Sequence, residues 1–147
     1  NSKKLLPYMV IKMVFGNQKG SAGKSTCSYL FILLLSLKGH KVLLIDMDEQ
    51  ADSPHWLIDT FDKLHLLNVN TPTIQDAIVN RGFRSVIMSL SENVDIIPNG
   101  KDLDGINIFL YKMLDDEKQR AFKFYLRKLV SEIEDDYDFI IWDTPPT

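Results

Sequence analysis

The sequence predicts an α/β fold, a mainly parallel sheet with helices on both faces. Three observations predict it. Strand-like and helix-like runs alternate along the chain. The run Val42 to Ile45 is apolar at every position, as in a strand covered on both sides. Glycine-rich or acidic loops follow three strand-like runs, where a parallel sheet gathers its ligand-binding edge.

Each element has a local reason. Tyr8 to Phe15 is rich in β-branched and aromatic residues and reads as a strand. Lys24 to Lys38 reads as a helix capped by Gly39. Its centre, YLFILLL, is apolar all round and is expected to be buried. Lys41 to Met47 forms the second strand, and a short helix is expected around Pro54 to Phe61. Thr73 caps a helix from Ile74 to Asn80 that Gly82 ends. Val94 to Ile97 is a short strand stopped by Pro98-Asn99-Gly100. Asp102 to Leu114 fits a helix. A second runs from about Glu117 to Glu134, with Phe122, Tyr125, Leu126, Leu129 and Ile133 on its core face. Asp138 to Trp142 is the last strand. Crossovers between parallel strands should be right-handed.

The bulk numbers exclude several classes. The chain has 147 residues, the size of one domain, with a net charge of −3. That charge does not suit a strongly basic nucleic-acid binder. One cysteine, Cys27, rules out a disulfide framework and a multi-cysteine metal site; in an apolar helix it reads as inert packing. His40, His55 and His65 lack ligand spacing. A reducing, cytoplasmic setting is the default. The apolar run Leu30 to Leu35 is too short to cross a bilayer, and Lys3-Lys4 precede only a short stretch broken by Pro7, so neither a membrane span nor a signal peptide is read. Domains rarely stop one turn past a buried strand. The sequence therefore reads as the N-terminal part, residues 1–147, of a single domain that continues past Thr147.

Three loops carry chemistry. Gly16 to Thr26 reads GNQKGSAGKST. A phosphate cradle needs successive backbone N–H groups pointing inward, then a helix N-terminus. Gly20 and Gly23 free the backbone for that path. Lys24 brings a cation to the β- and γ-phosphates, Ser25 a hydroxyl for Mg²⁺, and Thr26 reaches the α-phosphate. The usual spacing, G-x-x-x-x-G-K-[ST], would place glycine at position 18. Gln18 stands there, and an extra lysine, Lys19, lies inside the loop. In the second loop, Asp46 and Asp48 leave the end of a buried strand, on one side for as long as the strand persists. Carboxylates there can hold the water ligands of Mg²⁺ or orient an attacking water. In the third, Asp143 closes an apolar strand, the Walker B pattern.

Together these stretches resemble one family. Lys19-Gly20-Ser21-Ala22-Gly23-Lys24-Ser25-Thr26 is similar to the deviant Walker A, K-G-G-x-G-K-[ST]-T. Val42 to Gln50 is similar to V-L-L-I-D-x-D-P-Q, Asn93 to Pro98 to N-[LV]-D-[VI]-I-P, and Tyr137 to Pro146 to Y-D-[FY]-I-I-x-D-x-P-P. The whole chain thus resembles the ParA-type partition ATPases of the MinD/ParA superfamily, with a P-loop NTPase fold. The resemblance implies ATP and Mg²⁺ as cofactors and a nucleotide sandwich between two subunits. Lys19 would then reach the partner subunit's phosphates, as an arginine finger supplied in trans does. Asp48 would position the attacking water, and Asp46 and Asp143 would organise Mg²⁺ through its waters. Gln50 would support the dimer contact. The implied function is an ATP-hydrolysing switch in plasmid or chromosome partition, slow and stimulated by a centromere-binding adaptor protein. Non-specific DNA would be bound through a part beyond Thr147. No membrane partner is expected.

Two residues depart from the pattern. Ser21 replaces a glycine, which would strain the loop if that position needs positive φ. Glu49 replaces a proline and adds charge near the phosphates. Two other readings use the same motifs: a membrane-cycling MinD-type ATPase, which would need a C-terminal amphipathic helix, and a nucleotide-binding scaffold without turnover. Arg120, Lys123 and Arg127 read as a solvated basic face, Phe124 as outward, and Trp56 and Trp142 as core.

Overall fold

The computed structural model describes residues 11–15, 21–47, 53–99 and 115–143, with backbone alone for 11–15 and 21–25. Nine regular elements lie among them. They are β1 (Ile11–Phe15), α1 (Ser21–Leu37), β2 (Val42–Asp46), α2 (Ser53–Thr60), α3 (Ile74–Asn80), β3 (Met88–Ser89), β4 (Val94–Ile97), α4 (Asp116–Ser131) and β5 (Phe139–Asp143). Short 3₁₀ turns cover Leu64–Leu66, Arg84–Val86 and Glu134–Asp136. The expected helix over 102–114 lies outside the described residues.

The strands form one sheet in the order β1-β5-β2-β4-β3. The first four are parallel, and β3 pairs antiparallel with β4. The chain leaves a slot between β1 and β2 and fills it with β5. The expected α/β architecture is therefore present, with one antiparallel edge strand that the sequence reading lacks. At two residues β3 is too short for any period to register.

Alternation along the strands divides the core into two layers. Leu43, Ile45, Ile97 and Ile140 face α3 and α4, packing with Ile74, Ala77, Phe83, Val86, Leu126, Leu129, Val130 and Ile133. Val42, Leu44, Val94, Ile96, Phe139 and Ile141 face α1 and α2, packing with Ile32, Leu35, Leu57 and Ile58. The β2 residues Val42 to Ile45 are all fully buried, which explains their unbroken apolar run.

Capping sets the helix ends. Asp76 accepts from the Thr73 amide at the start of α3 (2.8 Å), and Asp115 accepts from the Lys118 amide at the start of α4 (2.8 Å). Gly39 closes α1 in the left-handed region (φ 84°), where an L side chain is strained. At the end of α3 the left-handed residue is Arg81 (φ 59°) rather than Gly82. The Gly82 amide reaches back to the Ala77 carbonyl (3.0 Å).

Two expectations for α1 need correction. The helix begins at Ser21, three residues earlier than its apolar pattern, because Gly23 in the first turn masks a helical start. It is also not buried all round. Ile32 and Leu35 face the sheet, but Leu30 is 55 % exposed, Leu34 50 % and Leu37 85 %, and Cys27 is exposed as well. The sheet and α2 cover only part of its circumference. Trp56 and Trp142 are half-buried: Trp142 packs against the α3/α4-side core as expected, edge-on to Phe83, whereas Trp56 lies edge-on to Tyr29 outside both core clusters. Phe124 is 68 % exposed, as expected.

A polar cluster ties the opposite ends of the strands. The Tyr137 hydroxyl donates to Asp95 Oδ2 (2.6 Å), and Lys41 Nζ lies 3.5 Å from the same oxygen. Lys41 also donates its amide to Asp138 Oδ2 (2.9 Å) and its ammonium to the Glu92 carbonyl (3.1 Å). Asp95 thus occupies an inward position on β4 that would otherwise be apolar.

Candidate functional site

The carboxyl ends of β1, β5 and β2 lie side by side. Phe15 pairs with Asp143, and Asp143 pairs with Asp46. Neighbouring strands are about 4.8 Å apart, and paired residues project to the same face. Asp46 and Asp143 therefore form a carboxylate pair on the α1/α2 side of the sheet edge. Asp143 is 0 % exposed and Asp46 8 %.

Two described contacts hold Asp143. Its carbonyl accepts from the Met47 amide (2.8 Å). Its carboxylate Oδ2 accepts from the Ser53 hydroxyl (2.8 Å), and Ser53, the first residue of α2, is itself fully buried. The segment 48–52 is thereby bracketed by two residues that bond Asp143. Ser53 is the functional neighbour that the sequence reading missed. No motif points to it, since its partner lies 90 residues away.

The third contributor is the start of α1. Ser21, Ala22, Gly23, Lys24 and Ser25 form its first turn and a half, and Thr26 follows, exposed. First-turn amides have no intrahelical carbonyl to bond, and together with the helix dipole they make an anion-binding end. Ser21 has helical backbone, so the condition for left-handed strain there is not met. Lys19 and Gly20, and also Asp48, Glu49 and Gln50, lie outside the described residues. β2 stops at Asp46, so the strand does not carry a shared orientation as far as Asp48.

The donor chemistry suits a magnesium ion that keeps its water. Asp46 and Asp143 supply hard oxygen, as Mg²⁺ prefers. Among the described residues no group of three or more His, Cys, Asp or Glu could form an all-protein cage. A pair of carboxylates alone suits an ion that takes its remaining ligands from water or a bound anion.

Comparison with known proteins bears on the family and the fold. A family model described as an AAA domain matches residues 10–147. The chain is 34% identical over 135 residues to the chromosome-partitioning ATPase Soj of Treponema pallidum, covering 92% of this chain and 48% of that one. A crystal structure of a plasmid partition protein from Borrelia burgdorferi matches with a TM-score of 0.72 at 28% identity, covering 95% of this chain and 57% of the other. A Borrelia burgdorferi plasmid partition protein bound to AMPPNP matches with a TM-score of 0.70 at 28% identity, covering 95% and 54%. The chain spans about half the length of the curated relatives it matches.

Proposed function

The chain belongs to the AAA domain family, among the ParA/MinD-type P-loop ATPases, and on that premise we propose that it is an ATP-binding and ATP-hydrolysing switch acting in plasmid or chromosome partition. The observation that carries the reading is the register of Asp46 with Asp143 at the carboxyl edge of the sheet, where β1, the strand that leads to α1, also ends.

Each residue has a role in it. The amides of the loop and of the first α1 turn, from Gly20 to Thr26, bind the phosphates. Lys24 neutralises charge at the β- and γ-phosphates, and Ser25 and Thr26 add hydroxyl contacts. Ser25 ligates Mg²⁺ directly, and Asp46 and Asp143 hold its waters. The ion, when bound, neutralises charge that develops on the phosphoryl oxygens. Asp48 orients the attacking water. Lys19 acts across an ATP-dependent homodimer on the partner subunit's nucleotide, and Gln50 supports that contact. The ATP-bound dimer binds DNA non-specifically through residues outside this sequence. A centromere-bound adaptor protein stimulates turnover and release in the cytoplasm.

The test is DNA binding by the full-length protein with Mg-ATP against Mg-ADP, at one fixed low salt concentration. An Asp48→Ala background keeps turnover from blurring the comparison. Binding with ATP alone, lost in Lys19→Ala, is expected. ATP binding without DNA binding in either state would overturn the partition role. It would leave a membrane-cycling ATPase or a nucleotide-binding scaffold.

A further inference from the structure

We propose that Ser53 is a positioning residue, which fixes the orientation of the Asp143 carboxylate at the sheet edge. The inference rests on the nucleotide-site reading above and adds to it a residue that no motif contains.

The geometry is specific. The hydroxyl of Ser53 donates to Asp143 Oδ2 at 2.8 Å, and both residues are 0 % exposed. In such a setting a lost donor is not replaced by bulk water. The other end of the segment is tied to the same residue, because the Met47 amide donates to the Asp143 carbonyl at 2.8 Å. A single residue at the end of β5 thus receives a bond from each flank of the segment that carries Asp48 and Gln50. The Asp46–Asp143 register closes the arrangement from the strand side.

Hydrogen bonds to a ligating carboxylate set its orientation and basicity. Ser53 supplies one here, and it does so from the first residue of α2. The chemistry needs a hydroxyl, so threonine should substitute and alanine should not.

The experiment compares wild type, Ser53→Ala and Ser53→Thr in the full-length protein. Two readouts are taken: the Mg²⁺ concentration that half-saturates binding of a fluorescent ATP analogue, and the Tm of the ligand-free protein. Ser53→Ala is expected to raise the half-saturating Mg²⁺ about tenfold, as outer-shell changes commonly do. It is also expected to lower the ligand-free Tm, because the buried Asp143 carboxylate loses a donor. Ser53→Thr is expected to restore both. Should Ser53→Ala not fold, Ser53→Cys keeps the volume with a weaker donor and carries the same comparison. Ser53→Ala matching wild type in both readouts would overturn the role of Ser53 alone. Equal loss in alanine and threonine variants would overturn it in favour of packing. Wild type that binds no Mg-nucleotide would overturn the reading of the site itself, and the inference with it.

Discussion

Tyr137 donates its hydroxyl to Asp95 across 2.6 Å at the end of the strands remote from Asp46 and Asp143. Burial first, and then the bond and charge of Asp95, push the Tyr137 hydroxyl far above the usual tyrosine range. The native state therefore keeps this proton at pH values where the unfolded chain has lost it. The unfolded chain then binds fewer protons, so stability is intact below about pH 10 and falls above it by about 1.4 kcal/mol per pH unit. Tyr137→Phe should flatten that part of the alkaline profile. It should also cost about 1–3 kcal/mol at neutral pH, because buried Asp95 loses a donor. Denaturant melts of both proteins from pH 8 to 11 check both statements.

Asp46 and Asp143 end neighbouring strands in register. Asp46→Asn keeps the shape of the side chain and removes its carboxylate. It should weaken Mg-dependent nucleotide binding at least about tenfold. Titration of a fluorescent ATP analogue with and without Mg²⁺ checks this, and unchanged Mg²⁺ dependence would remove Asp46 from the metal site.

Arg81 sits in the left-handed region at the end of α3. Arg81→Gly should relieve that strain and stabilise the fold by about 1 kcal/mol, a small rise in Tm. Gly82 gives the contrast. It has no positive-φ requirement among the described residues, and an added Cβ there would meet nothing within 4 Å. Gly82→Ala should therefore be close to neutral. Thermal melts of the two variants should order them as Arg81→Gly above Gly82→Ala.

Helix α1 offers a test of burial. Ile32 is fully buried and Leu34, two residues on, is 50 % exposed. Ile32→Ala should cost about 2–5 kcal/mol, as large-to-small core changes do. Leu34→Gln should shift the stability of the 147-residue chain by no more than about 0.5 kcal/mol. Similar losses in both would mean that the helix is covered on all sides.

Much of this was legible in the sequence, for physical reasons. Val42 to Ile45 and Phe139 to Ile141 announce buried strands because both of their faces are covered. Asp46 and Asp143 stand out because each ends such a strand, and the sheet places them in register. What escaped depends on contacts distant in sequence. Whether Leu30 or Ile32 meets the core depends on what packs around α1, and an all-apolar run carries no phase to reveal it. Ser53 carries no pattern, since its meaning is the Asp143 carboxylate. Arg81 was hidden by an adjacent glycine that is the more usual left-handed residue. The positions of Lys19, Gly20 and Asp48 rest on motif spacing, because they lie outside the described residues.

The slot between β1 and β2 has a consequence for how the molecule comes into being. β5 occupies it, hydrogen-bonded to β1 on one side and β2 on the other. Residues near 11 and near 139 must meet before the first strand has any partner in the described sheet. Pairings of such long range are slow to form, because chain closure must precede the contacts that reward it. During synthesis the ribosome releases β1, the lysine-bearing loop and β2 well before the strand that joins them. The carboxyl edge of the sheet is therefore assembled late, when Asp143 emerges, and a nascent chain stopped short of it would hold the lysine-bearing loop without the sheet edge on which the proposed site depends.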